Sequence, residues 1–298
     1  MSSRWNPCPR IRRYGRCRVA SSAHTTAPTR KTPCDGRAKR RWTSCSASWI
    51  ADVGCVVVTG AAGGIGQALV RGFVQAGSDV IAVDRVERPA DLATDQYISC
   101  DLARTVRDPA HAGEIFAKVR AALGARPLDA LINNAAIQIL GSIESLDRDA
   151  WRDSLEVNLL APFIWTQALL PELEASRGSV LNISSIHARL TKPGFVAYAT
   201  SKAALSGMTR AMAVELGSRV RVNAIEPAAI DTPMLRAGFS GNAEGFSALE
   251  SHHPVGQVGS AEGLASLAVA IVREGSGFLS GSLVGLDGAI AARLHDPV

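Results

Sequence analysis

The stretch that most constrains the fold is a short apolar run that leads into a cluster of glycines. Cys55–Thr59 reads CVVVT, the β-branched pattern of a buried parallel strand. Gly60, Gly64 and Gly66 follow in the spacing G-x-x-x-G-x-G, and a helical pattern then extends to Gly77. A strand before the glycines and a helix after them predict a turn whose free backbone N–H groups bind the pyrophosphate of a dinucleotide.

Strand and helix patterns alternate along the rest of the chain. The other predicted strands are Val80–Val83, Leu128–Ile132, Ser179–Ile183, Val220–Ile225 and Ser282–Leu286. The other predicted helices are Ala110–Leu123, Ala150–Leu173, Tyr198–Leu216 and Ala261–Val272. A kink is expected at Pro162 in the second of these helices. The alternation predicts an α/β fold, with one Rossmann-type doubly wound parallel sheet in a single domain.

Positive charge is concentrated at the start of the chain. Residues 1–53 contain 12 Lys and Arg but only 2 Asp and Glu, a net charge of +10, whereas the remainder carries −5. The formal charge of +5 for the 298 residues therefore comes from this basic extension. Since the rest of the chain is mildly acidic, no nucleic-acid partner is expected for it.

The basic extension has no hydrophobic periodicity, and we interpret it as a segment that precedes a domain at 54–298. Three interpretations are open: a disordered basic arm, an organelle transit peptide, or non-coding sequence translated from a start codon assigned too far upstream. The third is favoured because 3 of the 5 Trp and 4 of the 6 Cys lie here, which is unusual for a solvated arm. Attachment to DNA or a membrane through this extension is a further alternative.

Cysteine spacing and hydropathy limit the environment of the protein. The four cysteines of residues 1–53 lack Cys-x-x-Cys spacing, so no metal site is expected. Cys55 and Cys100 lie in or beside predicted strands and resemble small buried hydrophobic residues, as in a reducing cytoplasm. No apolar run approaches the roughly 18 residues of a membrane span, so no membrane partner is expected.

The residue after the second predicted strand bears on the choice of dinucleotide. Asp84 lies 18 residues beyond Gly66, where a carboxylate can accept hydrogen bonds from the ribose hydroxyls of the adenosine half. It would repel a 2′-phosphate, which favours NAD over NADP, and Gly63 supplies no charge for such a phosphate. The adjacent Arg85 works against this preference. A turn or helix-capping aspartate is the structural alternative.

Tyr198 and Lys202 are four residues apart at the start of a predicted helix, so both project from one face. A phenol is a poor base because its pKa is about 10. An ammonium at roughly 4 Å would stabilise the phenolate by on the order of 4 kcal/mol at an effective dielectric of about 20. We therefore expect Lys202 to lower the pKa of Tyr198 toward neutrality, where general acid–base catalysis is most effective. The alternative is a surface tyrosine with a lysine one turn away.

These features, together with four further motifs, resemble the short-chain dehydrogenase/reductase family over residues 54 to about 290. The motifs, in family order, are Asn133-Asn134-Ala135-Ala136, Asn158 within Val157-Asn158-Leu159, Asn182-Ile183-Ser184-Ser185, and Pro227-Ala228-Ala229-Ile230-Asp231-Thr232. Ser185 is chosen over Ser184 because it precedes Tyr198 by 13 residues, the family spacing. Ala136 and Ala228 replace family glycines, and neither substitution removes a functional side chain.

The resemblance implies an enzyme that transfers hydride between NAD(H) and a secondary alcohol or carbonyl substrate. Tyr198 would be the acid/base, Ser185 would hydrogen-bond the substrate oxygen, Lys202 would also hold the nicotinamide ribose, and Asn158 would anchor a water. The implied cofactor-binding residues are Gly60, Gly64, Ile65, Gly66, Asp84, Asp101, Leu102, Asn134, Ala135, Tyr198, Lys202, Pro227, Ile230 and Thr232. A catalytically idle NAD-binding regulator or scaffold of the same fold is the alternative.

Substrate identity is not encoded in these motifs. His187 and Gln138 are candidates for the substrate pocket, and residues Met234–Gly256 occupy the variable lid of the resembling family. His252 and His253 are expected in a loop, without a metal role. By analogy with the family, we expect a homotetramer, or a homodimer, with contacts from the helices that begin near residues 150 and 198 and from Leu279–Ala289.

Overall fold

The centre of the fold is a parallel β-sheet, seen in a computed structural model that describes residues 53–294. Apart from residue 53, the basic extension lies outside the described residues. The strands are β1 (Cys55–Thr59), β2 (Asp79–Asp84), β3 (Tyr97–Ser99), β4 (Ala130–Asn133), β5 (Ser179–Ile183), β6 (Arg221–Pro227), β7 (Ile230–Asp231), β8 (Gly259–Ser260) and β9 (Leu283–Leu286). Seven of them form the main sheet in the order β3-β2-β1-β4-β5-β6-β9, with each adjacent pair parallel. The two-residue strands β7 and β8 pair with each other.

Helices cover both faces of this sheet. They are α1 (Gly64–Gln75), α2 (Leu102–Arg107), α3 (Pro109–Leu123), α4 (Arg148–Leu155), α5 (Ala161–Ala168), α6 (Leu170–Ser176), α7 (Val196–Leu216), α8 (Pro233–Gly238), α9 (Ala243–His252) and α10 (Ala261–Val272). The predicted α/β class and doubly wound parallel sheet are therefore confirmed. No helix within residues 53–294 is both long enough and apolar enough to cross a membrane.

The hydrophobic core forms two layers, one on each face of the sheet. Successive residues of β1 alternate between them: Val56 and Val58 belong to one cluster, and Cys55 and Val57 to the other. All four side chains are at most 1% exposed. A strand buried on both faces has a continuous apolar sequence, which explains the CVVVT run.

The predicted helix Ala150–Leu173 is wrong as a single element. The chain instead forms α4, a π-helical turn over Glu156–Leu160, α5 and α6, and the backbone departs from helical geometry at Leu169. The π-helical turn lies just before Pro162 and contains Asn158, four residues earlier, whose carbonyl Pro162 cannot bond because it has no N–H. The irregularity expected at Pro162 is therefore found in the turn that precedes it. The π-helical turn was not predicted because the backbone on both sides of it stays helical, so the sequence looks like one continuous helix.

One prediction about a connecting segment is also wrong. The region Met234–Gly256, expected to be the variable lid, contains most of α8 and all of α9. His252 is the last residue of α9 and His253 is its C-cap, with 4% exposure, rather than members of an open loop. The two strands β7 and β8 were not predicted because two residues are too few for any periodicity.

Candidate active site

The glycine turn joins β1 to α1 at the carboxyl edge of the sheet. Gly60 has φ +66°, and a Cβ there would lie 2.6 Å from Cα of Ala135. At Gly66 a Cβ would lie 1.9 Å from the carbonyl oxygen of Gly60, so no side chain can be accommodated. No side chain caps the first turn of α1, which begins after Gly63. Uncapped N–H groups and a positive helix end fit an anionic pyrophosphate.

Hydrogen bonds between Thr59, at the end of β1, and Asn134, after the neighbouring strand β4, hold this turn in place. The Thr59 hydroxyl oxygen accepts from the backbone N–H groups of Asn134, at 3.1 Å, and Ala135, at 3.2 Å. The Asn134 amide donates to the carbonyl oxygens of Thr59 and Gly60, both at 3.0 Å. Asn134, predicted to belong to the cofactor site, thus links the end of β1 to the segment after β4 through its side-chain amide. The role of Thr59 was not predicted, although its position immediately before Gly60 could have indicated it.

Asp84, the last residue of β2, hydrogen-bonds the glycine turn through its side chain. Its Oδ2 accepts from the backbone N–H of Ala62 at 3.0 Å, and its Oδ1 accepts from the N–H of Arg85 at 2.7 Å. The carboxylate therefore contacts the glycine turn and also shapes its own turn, which was the structural alternative. Oδ1 also accepts from the N–H of Val86 at 3.4 Å, so Oδ2, with one hydrogen bond, is the oxygen that keeps capacity for a ribose hydroxyl. Arg85 and Asp84 both line the cleft described next.

A cleft of about 460 Å³ extends along this edge of the sheet. Eleven of the fourteen predicted cofactor residues line it: Gly60, Gly64, Ile65, Gly66, Asp84, Asp101, Leu102, Asn134, Ala135, Tyr198 and Thr232. Lys202, Pro227 and Ile230 lie outside the lining and are at most 9% exposed. Gln138, predicted for the substrate pocket, and Met234, predicted for the lid, also line this cleft. The lining residues that were not predicted are Ala62, Gly63, Arg85, Val86, Cys100, Ala136, Ile137 and Val157. Most of these residues line the cleft because they lie near strand ends, a position that an isolated sequence motif does not indicate.

Tyr198, Ser185 and Lys202 come together at one end of the cleft. The Tyr198 hydroxyl shares a hydrogen bond with the Ser185 side chain. Lys202 Nζ lies 5.8 Å from the centroid of the Tyr198 ring and donates to the carbonyl oxygen of Ile183 at 2.8 Å. The ammonium has three donors, so two remain after this bond. The geometry brings together the three side chains that sequence spacing grouped.

The electrostatic expectation for this group needs correction. Burial raises the pKa of Tyr198 above its usual value, and the Ser185 hydrogen bond opposes that shift only in part. Burial also lowers the pKa of Lys202 to about 7. Desolvation disfavours the charged form of each side chain, so proximity in the helix does not translate into a lowered phenol pKa. Lys202, only 2% exposed, is therefore about half protonated near pH 7.

Asn158 lies in the π-helical turn and is fully buried. Its Oδ1 accepts from the N–H of Ile137 at 2.9 Å, and its Nδ2 donates to the Ile137 carbonyl at 2.9 Å and to Ser201 Oγ at 3.0 Å. Both amide hydrogens are therefore used within the protein. The side chain ties the loop after β4 to α7, next to Lys202. The predicted water-anchoring role stays a prediction, with Oδ1 the atom that has a free lone pair.

The two adjacent serines have different surroundings. Ser184 Oγ donates to the Lys202 carbonyl at 3.1 Å and lies 2.8 Å from Ser206 Oγ, so it points into α7. Ser185 Oγ instead accepts from the N–H of His187 at 3.2 Å and contacts Tyr198. Ser185, rather than Ser184, is therefore the serine whose hydroxyl faces Tyr198.

An aromatic group extends from Tyr198 away from the glycine turn. The His187 ring stacks on Phe195 with centroids 4.4 Å apart, and its edge faces the Tyr198 ring at 5.7 Å. Burial lowers the pKa of His187, and the nearby Lys192 lowers it further, so the ring is neutral at neutral pH. His187, predicted to line the substrate pocket, thus contacts the Tyr198 ring, and its role toward a substrate stays a prediction. No cluster of three or more metal-ligating side chains occurs in the part of the chain that the structure describes.

Comparison with known proteins decides the family. A family model described as "short chain dehydrogenase" matches residues 54–242. The chain belongs to this family. It is 29% identical, over 79% of its length and 92% of the relative's, to trans-4-hydroxycyclohexanecarboxylate dehydrogenase of Sinomonas cyclohexanicum.

Solved structures agree with this assignment and differ in cofactor. A Beutenbergia cavernae protein described as an NAD(P)-dependent gluconate 5-dehydrogenase, with bound NADP at low occupancy, has a TM-score of 0.73 and 28% identity. The similarity covers 82% of this chain and 99% of that one. A 4-hydroxyisoleucine dehydrogenase complexed with NADH has a TM-score of 0.70 and 27% identity, covering 80% and 99% respectively. The short-chain dehydrogenase binds a nicotinamide dinucleotide, and these neighbours include both forms.

Proposed function

We propose that this short-chain dehydrogenase interconverts a secondary alcohol and the corresponding carbonyl compound with NAD(H), and that Tyr198 is its acid/base. The observation that carries the proposal is the place of Tyr198. Its ring lines the same cleft as the glycine turn, and its hydroxyl is bonded to Ser185. An acid/base at one end of a dinucleotide cleft is the arrangement that hydride transfer requires.

The chain's own residues account for the proton. A bound nicotinamide supplies the hydride acceptor or donor. Ser185 hydrogen-bonds the substrate oxygen and orients it toward Tyr198, which removes the hydroxyl proton in oxidation and returns it in reduction. Because burial holds Tyr198 in its protonated form, reduction is favoured near neutral pH and oxidation gains rate as pH rises. Lys202 supports the site through its two remaining N–H donors.

NAD is the proposed cofactor. Asp84 is half-buried against the glycine turn, where its charge opposes a 2′-phosphate. Arg85 is exposed beside it and would attract such a phosphate. Asp84 is the better placed of the two, because its hydrogen bond to Ala62 fixes the carboxylate at the ribose end of the cleft. The NADH complex of the neighbouring 4-hydroxyisoleucine dehydrogenase is consistent with this choice.

The proposed enzyme is a cytoplasmic homotetramer that acts on a small molecule. Cys55 and Cys100 are free and buried, which suits a reducing compartment. Side chains such as Phe163 on α5 and Val214 on α7 are exposed apolar groups on the helices expected to make the subunit contacts. The hydroxy-acid and cyclic-alcohol substrates named for its relatives indicate where a substrate search should begin.

The test is a screen of secondary alcohols, polyols and hydroxy acids with NAD⁺ and NADP⁺, using the full chain and Tyr198→Phe. We expect kcat/KM to be at least about tenfold higher with NAD⁺, and Tyr198→Phe to lower kcat by about 10²–10⁴-fold while NADH still binds. The phenol-to-phenyl change keeps the ring contacts, so loss of rate reports the proton. Turnover retained in Tyr198→Phe would refute the acid/base role, and a preference for NADP⁺ would refute the cofactor assignment.

A further inference from the structure

Behind the candidate active site, β6 carries a carboxylate in a place where a charge is costly. Glu226 is the residue before Pro227 and is 1% exposed. A buried carboxylate persists only with partners that satisfy its oxygens. Neither the motifs nor the cleft lining assigns any role to this side chain. Its partners belong to the segments that carry Ser185 and Lys202.

The first set of contacts runs through two serines. Ser206 Oγ donates to Glu226 Oε1 at 2.8 Å, and it lies 2.8 Å from Ser184 Oγ. A carboxylate can only accept, so the Ser206 proton is committed to Glu226. Ser184 must then be the donor between the two serines, and it shares its proton with the Lys202 carbonyl at 3.1 Å. The charge of Glu226 therefore sets the direction of every hydrogen bond in this chain of groups.

The second set of contacts is an ion pair. Arg189 Nε lies 2.7 Å from Glu226 Oε2, and Arg189 Nη2 lies 3.8 Å from a carboxylate oxygen of Asp287. Arg189 immediately follows the helical turn Ile186–Ala188. Both ends of the six-residue segment from Ser184 to Arg189 are thus tied to the same carboxylate. Ser185, whose hydroxyl meets Tyr198, lies between these two attachments.

We propose that Glu226 is a positioning residue for the reaction: it holds both ends of the segment 184–189 and so fixes the Ser185 hydroxyl against Tyr198. This inference rests on the proposed function, in which Ser185 orients the substrate oxygen. A buried ion pair contributes little net stability compared with apolar packing, so placement is the effect to measure. A displacement of about 1 Å at an orienting group can cost about 10²-fold in rate.

The primary test is Glu226→Gln in the full chain. Glutamine keeps the size and can still accept from Ser206, but it removes the nearer counter-charge of Arg189, leaving only Asp287 at 3.8 Å, and it adds donors that can reverse the serine order. We expect kcat to fall about tenfold to hundredfold, with NADH affinity within about twofold because the cleft lining is untouched. Arg189→Gln should reproduce the loss, and Arg189→Lys, which keeps the charge, should restore much of it. Since Arg189 is half-exposed, its variants also serve if Glu226→Gln does not fold.

A double-mutant cycle with Ser185→Ala separates positioning from general damage. If Glu226 acts through Ser185, adding Glu226→Gln to Ser185→Ala should change kcat by less than about twofold. Fully multiplicative losses would show that Glu226 acts elsewhere and would overturn the inference. The matched control is Glu172→Gln, which removes an ion pair with Arg120 at 2.5 Å on α6, away from Ser185. It should keep the kcat of the unaltered protein.

The outcomes distinguish this inference from the proposed function. If Ser185→Ala lowers kcat but Glu226→Gln and Arg189→Gln do not, the positioning role alone is refuted. If Ser185→Ala leaves kcat unchanged, the assumed role of Ser185 fails and the inference fails with it. Loss of NADH binding in Glu226→Gln would also overturn the inference, because a positioning effect on Ser185 leaves the cleft intact.

Discussion

Lys202 shows how far burial changes a side chain whose position is predictable. Its exposure is 2%, and burial lowers its pKa from 10.5 to about 7. Between these values the unfolded chain binds a proton that the folded chain releases, so the stability of the fold rises with pH across that window. Below pH 7 the folded protein contains a buried, charged ammonium, and the full desolvation cost of this charge reduces the free energy of unfolding.

Replacing Lys202 should therefore have an effect on stability that depends on pH. Lys202→Met should raise Tm relative to the unaltered protein at pH 6, by several degrees, and the gain should shrink toward pH 9. Thermal unfolding at both pH values measures this directly. Lys118→Met on α3, at an exposed position, should shift Tm equally at the two pH values. An equal change in Tm for Lys202→Met at pH 6 and pH 9 would contradict a buried Lys202 amine with a lowered pKa.

The same residue marks the limit of sequence reasoning at this scale. The spacing of Tyr198 and Lys202 correctly placed both on one helix face, because i and i+4 always share a face. It did not give the sign of the pKa change, since burial of Tyr198 and the bond from Nζ to Ile183 depend on β5, which is distant in sequence. Glu226 was missed for the same reason: its partners, Ser206 and Arg189, come from two other segments.

At the scale of elements, the glycine turn is held by backbone crowding as well as by hydrogen bonds. The Cβ of an alanine at position 66 would lie 1.9 Å from the carbonyl oxygen of Gly60, a backbone atom that cannot rotate away. Gly66→Ala should therefore destabilise the fold by about 1–3 kcal/mol or more and weaken NADH binding. Denaturant unfolding and NADH fluorescence titration measure the two effects.

The control for this prediction is Gly113→Ala. Gly113 lies within α3, where an added Cβ meets no atom within 4 Å. Because alanine favours helix by about 1 kcal/mol over glycine, this variant should be neutral or more stable. If Gly66→Ala behaved like Gly113→Ala, the turn would be loose enough to move, and close approach of the backbone would not explain the glycine.

Elements were predictable in proportion to their length and burial. The buried strand β1 and helix α10 were predicted with the observed bounds, because long or wholly apolar runs carry a strong pattern. The strand β3 and the six-residue α2 were not predicted, since each is too short to show a period. The π-helical turn that contains Asn158 was also missed, because it is a single turn inside an otherwise helical segment.

At the scale of the whole molecule, the parallel sheet explains why residues from distant motifs meet. The carboxyl ends of β1, β4, β5 and β6 lie along one edge. The glycine turn, Asn134 and the Ser184-Ser185 pair follow β1, β4 and β5, and Pro227 is the last residue of β6. Motif order therefore gave the location of the site before any distance was known. The sheet does not determine which side chains the outer helices expose to solvent. Several large apolar side chains are exposed on these helices.

Those exposed side chains carry the prediction for assembly. Phe163 on α5 is 42% exposed and Val214 on α7 is 84% exposed, which suits burial between subunits. We expect a species of about four times the 31.3 kDa chain mass in sedimentation, and a smaller one for Phe163→Glu, because symmetry repeats an uncompensated carboxylate in each copy of the contact. Val74→Glu on α1, at a site with 36% exposure, should leave the mass unchanged. A tetramer that survives Phe163→Glu would place the contact on another face, and a monomer in the unaltered protein would refute the assembly.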